Sequence, residues 1–296
     1  MKQLAIIGST ASGKSDLALT LALSHNAIIL SIDSLSIYSE IDIASAKPSK
    51  QELKQVKHFG INILRPDETA NVFTFIDEYH RACAYANEHQ KNLIIVGGSS
   101  FYLKSMLDGL SHVPTITQTV RDEAAELLKD IQLVHQFLTQ IDPLTMSCIA
   151  FTDTYRIEKM LHLYLQTKTP PSQWFEMHPP QSIITQCPVL NITAERAYLR
   201  ERITRRTHLM IQDGLIDEVA QCEQIYGRQP NSMKAIGIIE TLDYLDGRFS
   251  KKELIQLIST HTAQLAKRQQ TFNTHQFAIT INGIPADLLP IAQTLL

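Results

Sequence analysis

The chain has little of what marks several protein classes. Only four cysteines occur in 296 residues, Cys83, Cys148, Cys187 and Cys222, and no two form a CxxC pair. That excludes a disulfide framework or a thiolate zinc knuckle, and points to reduced, mostly buried thiols. The eleven histidines show no HExxH or paired ligand spacing, so a protein-built zinc site is not expected. No apolar run approaches the roughly 20 residues that cross a bilayer. The N-terminus opens as a strand, Met-Lys-Gln-Leu-Ala-Ile-Ile-Gly, rather than as a cleavable signal. A cytoplasmic protein away from membranes is the expectation. Charged residues make up only 19 % and the formal net charge is -3. Bulk charge therefore advertises no polyanionic partner, and a local basic surface would have to serve one. There is no internal repeat and no low-complexity tract.

What is present is enough apolar material, 44 %, to fill a folded core. Residues 4–7, 27–32 and 93–96 are apolar β-type runs, the second broken only by Ser31 and the last ending in Gly97 and Gly98. Between the first two, Leu17, Ala18, Leu21 and Ala22 recur at helical spacing. Apolar strands separated by helices predict a parallel sheet covered on both faces. Two further strands are expected late, at 189–193 just after Pro188 and at 277–281. From about Thr115 to Pro180 the texture changes to amphipathic helix without a convincing strand. After Thr193 helices are expected over 194–226, 233–245 and 251–275. The fold class read from this is α/β, a P-loop NTPase-like parallel sheet with flanking helices and an all-helical insertion domain. Its divisions fall at 1–114, 115–182 and 183–296.

The strongest local signal is Gly8, Ser9, Thr10, Ala11, Ser12, Gly13, Lys14 and Ser15, a GxxxxGK[ST] motif between a strand and a helix. In that setting successive backbone N–H groups curl around phosphate oxygens, and the helix N-terminus adds partial positive charge. Lys14 adds a point charge, and the Ser15 hydroxyl can ligate Mg²⁺. The bland alternative is a glycine-rich turn that binds nothing, and Lys14 with Ser15 argues against it.

Ordinary P-loop nucleotidases hold Mg²⁺ with an acid at the end of another strand. Here that strand runs Ile94, Ile95, Val96, Gly97, Gly98, Ser99, Ser100, and a guanine-reading NKxD is also missing. An acid appears instead at Asp33, just past the second strand, where a doubly wound sheet binds its ligands. A carboxylate there can take a proton from a nucleophile; it can equally cap the next turn. Arg202 and Arg206 lie four apart on one helix beside Arg205, a spacing that suits phosphate or a solvated basic face. Lys267, Arg268 and Phe272 could meet nucleic acid, although alone they read as a surface helix end.

Taken in order, these segments resemble the tRNA dimethylallyltransferase family along nearly the whole chain. The matching stretches are residues 8–15, Asp33-Ser34-Leu35-Ser36-Ile37-Tyr38, Ala46-Lys47-Pro48-Ser49 and residues 97–104. They continue with Asp153-Thr154-Tyr155-Arg156-Ile157, Arg202 to Arg206 with Met210, Gly214 and Leu215, then Ala235-Ile236-Gly237 and Ala266-Lys267-Arg268-Gln269. The sequence departs from the family pattern at several places. Ser9 stands for a common proline, Ser99 for threonine, Phe272 for tryptophan, and Lys159 for arginine. Ala150-Phe151-Thr152, Ile238-Ile239 and Ala263 also differ.

The resemblance implies transfer of a dimethylallyl group from dimethylallyl diphosphate to N6 of the adenosine at position 37 of tRNA. It implies Asp33 as the base, with Ser99 and Arg206 as the other catalytic groups. Residues 8–15 would hold the diphosphate with Mg²⁺ at Ser15. Residues 33–36, 155–159, 234–239 and 267–274 would touch tRNA, with Arg121 joining them from an insertion that clasps the anticodon stem-loop. Within these, Asp33, Ser34, Leu35, Ser36, Ser99, Arg121, Tyr155, Arg156, Lys159, Lys234, Lys267 and Arg268 are the expected contacts. The target base would have to leave its stack to reach a buried pocket. A monomer is expected. Three rival readings are prenylation of a free adenine nucleotide, which needs neither insertion nor basic C-terminal helix; a P-loop small-molecule kinase, whose adenine clamp and Arg-bearing lid cannot be placed; and a P-loop binding module without catalysis, against which Asp33 argues.

Overall fold

The structure is a computed structural model that describes residues 1–278 and 280–296. The chain divides into two compact units, one of residues 1–105 with 184–296, the other of residues 106–183.

The first unit is built on six parallel strands: β1 (Gln3–Gly8), β2 (Ala27–Ser31), β3 (His58–Phe59), β4 (Asn92–Gly97), β5 (Val189–Ile192) and β6 (Ile281–Gly283). Their order across the sheet is β3-β2-β4-β1-β5-β6. β2 and β5 are buried at every residue, and β1 and β4 at all but the first. That is why they read as largely apolar runs: a parallel strand covered on both faces has no polar side to alternate with. Helix α1 (Lys14–Ser24) buries Leu17, Ala18, Leu21 and Ala22, the four residues that mark its apolar stripe. The helices that follow are α2 (Lys50–Gln55), α3 (Val72–Glu88) and α4 (Ser100–Asp108), within which the division between the two units falls.

The later part of the first unit differs from the expectation in three places. The helical stretch 194–226 is two helices, α10 (Arg196–Gln212) and α11 (Leu215–Tyr226). They are parted by Gly214 at φ 104, a left-handed value that glycine adopts at little cost. Similarly, 233–245 resolves into a 3₁₀ turn (Asn231–Lys234) and α12 (Ile238–Leu245), separated at Gly237. The strand expected at 277–281 is displaced. Helix α13 (Lys251–Gln276) runs to its C-cap at Phe277, and β6 begins at Ile281; Ile279 lies outside the described residues. An amide chain holds this end of the sheet: Asn273 Nδ2 donates to Asn191 Oδ1 at 3.2 Å, and Asn191 Nδ2 to Asn282 Oδ1 at 2.8 Å. The chain closes with α14 (Pro285–Leu295). Of the thiols, only Cys222 is buried; Cys83 and Cys187 are half-buried and Cys148 is exposed, contrary to the expectation for most of them. No described helix is long and apolar enough to cross a membrane.

In the second unit, α5 (Gln118–Leu127), α6 (Ile131–Ile141), α7 (Pro143–Met146), α8 (Thr154–Thr167) and α9 (Pro171–Met177) follow one another. Val120 and Ala124, Val134 and Leu138, and Ile157, Leu161 and Leu165 recur at four-residue spacing within their helices and belong to its core. The segmentation follows from N-caps. Thr117, Asp130, Asp142 and Asp153 each accept a hydrogen bond from a first-turn N–H.

Asp142 does more than cap. It is 2 % exposed; Thr145 N donates to its Oδ1, while Thr145 Oγ1 and Ser172 N donate to Oδ2, both at 2.7 Å. Burial pushes its carboxyl up, but the bonds from Ser172 and Thr145 outweigh burial and hold it below the ordinary 3.8. A depressed carboxylate stabilises the fold fully above that ordinary value. The contribution is lost as pH falls through the lower folded value. Asp142→Ala is expected to cost about 2–3 kcal/mol and to flatten this acid-side dependence. Urea unfolding of both proteins across the acid range checks it.

Candidate active site at the carboxyl edge of the sheet

Because all six strands are parallel, the loops after β1, β2 and β4 leave from one edge. The strand order reverses direction beside β1 there, which is where doubly wound sheets open a crevice. A cavity of about 270 Å³ occupies it, lined among others by Lys14, Asp33, Lys47, Gly98, Arg202 and Arg206.

The loop of residues 8–15 forms one wall. Ala11 (φ 65) and Gly13 (φ 94) take left-handed conformations, which curl the backbone. Ser9 and Ser12 are buried, and their hydroxyls have no hydrogen-bond partner among the described residues. Lys14 Nζ donates to Ser9 O at 2.8 Å, folding back over its own loop. Burial pulls the Lys14 ammonium down to about 8; Asp33 opposes the fall and Arg206 adds to it. Burial lowers Arg206 too, with Asp33 again opposing and Arg202 assisting. Arg202 Nη1 donates to Tyr198 Oη at 2.9 Å and lies 3.9 Å from Asp16 Oδ2. Arg205, next to them in sequence, is exposed and does not line the cavity.

Asp33 follows β2. Its Oδ1 accepts from Leu35 N at 2.9 Å and Ser36 N at 3.1 Å, so the carboxylate does cap its turn. Oδ2 makes no hydrogen bond among the described residues. Ser99 Oγ accepts from Ser34 N at 3.2 Å, which ties the loop after β4 to the loop after β2. Gly97 makes this approach possible: a Cβ there would lie 2.6 Å from Ile32 Cγ1 and 2.8 Å from Ile32 C. Asp33, Ser99, Arg206 and loop 8–15 are thus brought to one edge of one sheet.

Ser36 also lines the cavity, and Ser34 and Leu35 lie between it and Asp33 in the same turn; the other expected tRNA contacts lie elsewhere. Lys234 is exposed on the 3₁₀ turn, and Lys267 and Arg268 are exposed on α13; none lines the cavity. Arg121, Tyr155, Arg156 and Lys159 belong to the second unit. There Tyr155 is exposed, Lys159 Nζ sits 5.1 Å from its ring centroid, and Arg156 pairs with Asp153 at 3.1 Å. Arg121 Nε donates to Ile116 O at 3.4 Å.

Two residues at the site, Lys47 and Glu218, carry no role in the sequence reading, and a third, Gln269, enters it only within the stretch 267–274 expected to touch tRNA. Lys47 is almost fully covered and donates to Tyr38 O at 2.6 Å and Asp42 Oδ1 at 2.7 Å. Glu218 on α11 accepts from three consecutive N–H groups, of Asp42, Ile43 and Ala44, and pins the loop that carries Lys47. Gln269 stands beside Lys267 and Arg268 in sequence but turns inward, where it accepts from Thr10 N at 2.8 Å. The helical turn would separate it from the two exposed cations.

The groups present suit a polyanion bearing a hard cation. Among the described residues there is no cluster of three His, Cys, Asp or Glu that would cage a metal by itself. A cation here would rest on a ligand's phosphate oxygens, on water and on the Ser15 hydroxyl, as Mg²⁺ does. The unpartnered Ser9 and Ser12 hydroxyls fit the same cradle.

Residues 36–276 match the model of the IPP transferase family. The chain is 52 % identical to a tRNA dimethylallyltransferase of Sulfurimonas denitrificans, over 98 % of this chain and 97 % of that one. It is 49 % identical to a tRNA dimethylallyltransferase of Sulfurovum, over 97 % and 96 %. Among solved structures it is similar to a tRNA isopentenylpyrophosphate transferase of Staphylococcus epidermidis, with a TM-score of 0.69, 26 % identity and coverage of 99 % and 98 %. It is also similar to a eukaryotic dimethylallyltransferase acting on tRNA, with a TM-score of 0.79, 25 % identity and coverage of 92 % and 70 %. The chain belongs to the IPP transferase family.

Proposed function

We infer that this protein transfers the dimethylallyl group of dimethylallyl diphosphate to N6 of the adenosine at position 37 of tRNA, acting as a cytoplasmic monomer. The observation that carries the chemistry is the pairing of one carboxylate, Asp33, with two partly desolvated cations, Lys14 and Arg206, at the mouth of loop 8–15. A phosphate-gripping loop opposite a base suits displacement of diphosphate by a nucleophile.

The step balances simply. The C1–O bond of the donor breaks, the N6–C1 bond forms, the N6 proton passes to Asp33 Oδ2, and diphosphate leaves. An exocyclic adenine amine is a poor nucleophile, so the allylic carbon must carry positive charge as the leaving group departs. Lys14, Arg206 and the N–H groups of loop 8–15 stabilise the negative charge growing on the diphosphate. Mg²⁺ bound to the diphosphate and Ser15 would supply further charge neutralisation. Ser99, 3.2 Å from Ser34 N, orients the loop carrying Asp33 and offers its hydroxyl near the amine. The tRNA would be met by Ser34, Leu35 and Ser36, by Lys234, Lys267 and Arg268, and by the second unit through Arg121, Tyr155, Arg156 and Lys159. That unit would clasp the anticodon stem-loop. An exposed tyrosine under a lysine is suited to a splayed base.

Asp33→Ala is expected to lower turnover by about 10²–10⁴-fold while tRNA still binds. Label transfer from dimethylallyl diphosphate to unmodified tRNA, beside a filter-binding titration, measures both; full activity would remove Asp33 as the base.

The Lys14 value of about 8 generates a second expectation. Above it the free protein loses this charge, and diphosphate, which favours the charged form, restores it. Inorganic diphosphate should therefore bind with proton uptake between about pH 8 and 10.5, and its affinity should fall as pH rises through that window. Calorimetry in buffers of different ionisation enthalpy reads the uptake, and Lys14→Met should abolish it.

A further inference from the structure

We propose that Gln269 is a positioning residue that sets the distance between the diphosphate loop and the side of the site that receives the adenine. The inference rests on the transfer reaction proposed above. Gln269 Oε1 accepts from Thr10 N at 2.8 Å, and its Nε2 donates to Gly98 O at 3.0 Å. The next residue, Ser99, accepts from Ser34 N, which adjoins Asp33. A continuous path of three hydrogen bonds, broken only by single peptide links, therefore joins the loop that would hold the leaving group to the base.

The chemistry of the partners fixes the orientation of the amide. A backbone N–H can only donate and a backbone carbonyl can only accept, so the side chain must present an acceptor to one and a donor to the other. Asparagine is a methylene short and a carboxylate lacks the donor, which leaves glutamine as the fitting residue. Gly98 shows the same fit from the other side. A Cβ there would come within 2.6 Å of Gln269 Nε2, and the three atoms nearest to it would all belong to the Gln269 amide.

A plain structural brace is the competing role, and the surroundings argue against it. Helix α13 is already fixed on that face by other contacts. Asn273 bonds to Asn191 at 3.2 Å, Gln270 Nε2 to Ala194 O at 3.1 Å, and buried Ala266 packs with Leu199 and Ile203. Removing one half-buried amide leaves those in place. What it releases is the spacing between a leaving group and a nucleophile, where a displacement of about 1 Å can cost about 100-fold in rate.

The test is steady-state transfer to unmodified tRNA by wild type, Gln269→Ala, Gln269→Glu, Gly98→Ala and the Gly98→Ala/Gln269→Ala double variant, with melting temperatures. Gln269→Ala should lower kcat by about 10–100-fold with little change in KM for either substrate or in melting temperature. Gly98→Ala should reproduce the loss in the wild type and add little to Gln269→Ala, because both changes displace the same amide. In Gln269→Glu the carboxylate faces the Gly98 carbonyl. Its activity relative to wild type at the same pH should rise as pH falls towards the carboxyl range, where the protonated acid regains the donor. Wild-type kcat in Gln269→Ala would overturn the proposal. So would losses that follow melting temperature in every variant without recovery at low pH. A wild type that labels no tRNA would instead sink the transfer reading itself, and the inference with it.

Discussion

The structure depends on holding two cations and one carboxylate in a single crevice where water is scarce. Burial draws Lys14 and Arg206 below their ordinary values; Arg206 adds to the fall of Lys14 and Arg202 to that of Arg206, while Asp33 opposes both. Left alone, such a site is short of negative charge, which is visible in Lys14 folding back onto the Ser9 carbonyl. A diphosphate supplies the missing charge. Binding strength and leaving-group stabilisation then arise from one source, and the cations are worth most where charge develops as the C1–O bond opens.

The sheet exists to keep those charges at that spacing. Parallel pairing puts the ends of β1, β2 and β4 side by side, and Gly97 lets the β4 turn press against Ile32 where a side chain would collide. Glu218 performs a related task on the far wall by gathering three N–H groups of the loop that carries Lys47. Polar groups that looked incidental in sequence are hinges between loops, and the apolar strands beneath them provide the rigid floor.

Strands β1, β2, β4 and β5 were legible because burial on both faces writes itself as largely apolar sequence, and α1 because its stripe of Leu17, Ala18, Leu21 and Ala22 repeats at helical spacing. The phosphate loop and Asp33 were legible because their chemistry depends on position relative to strand ends. What escaped was set by tertiary contact. β3 is two residues long, too short to show a period. β6 is an edge strand whose place is decided by the asparagine chain to β5 and α13, not by hydrophobicity. The splits at Gly214 and Gly237 lie inside periodic sequence, where a glycine alone does not announce a break. Gln269 was grouped with the cations preceding it because sequence adjacency hides the hundred degrees of rotation between helical neighbours.

The central claim is that loop 8–15 grips a leaving diphosphate rather than a nucleotide to be hydrolysed. Nucleoside mass spectrometry of unmodified tRNA after incubation with the purified protein, dimethylallyl diphosphate and Mg²⁺ tests it most directly. The account predicts that the adenosine 3′ to the anticodon gains one dimethylallyl group, with one diphosphate released per transfer and no need for ATP. Unaltered tRNA accompanied by ATP consumption, or prenylation of AMP in its place, would contradict it.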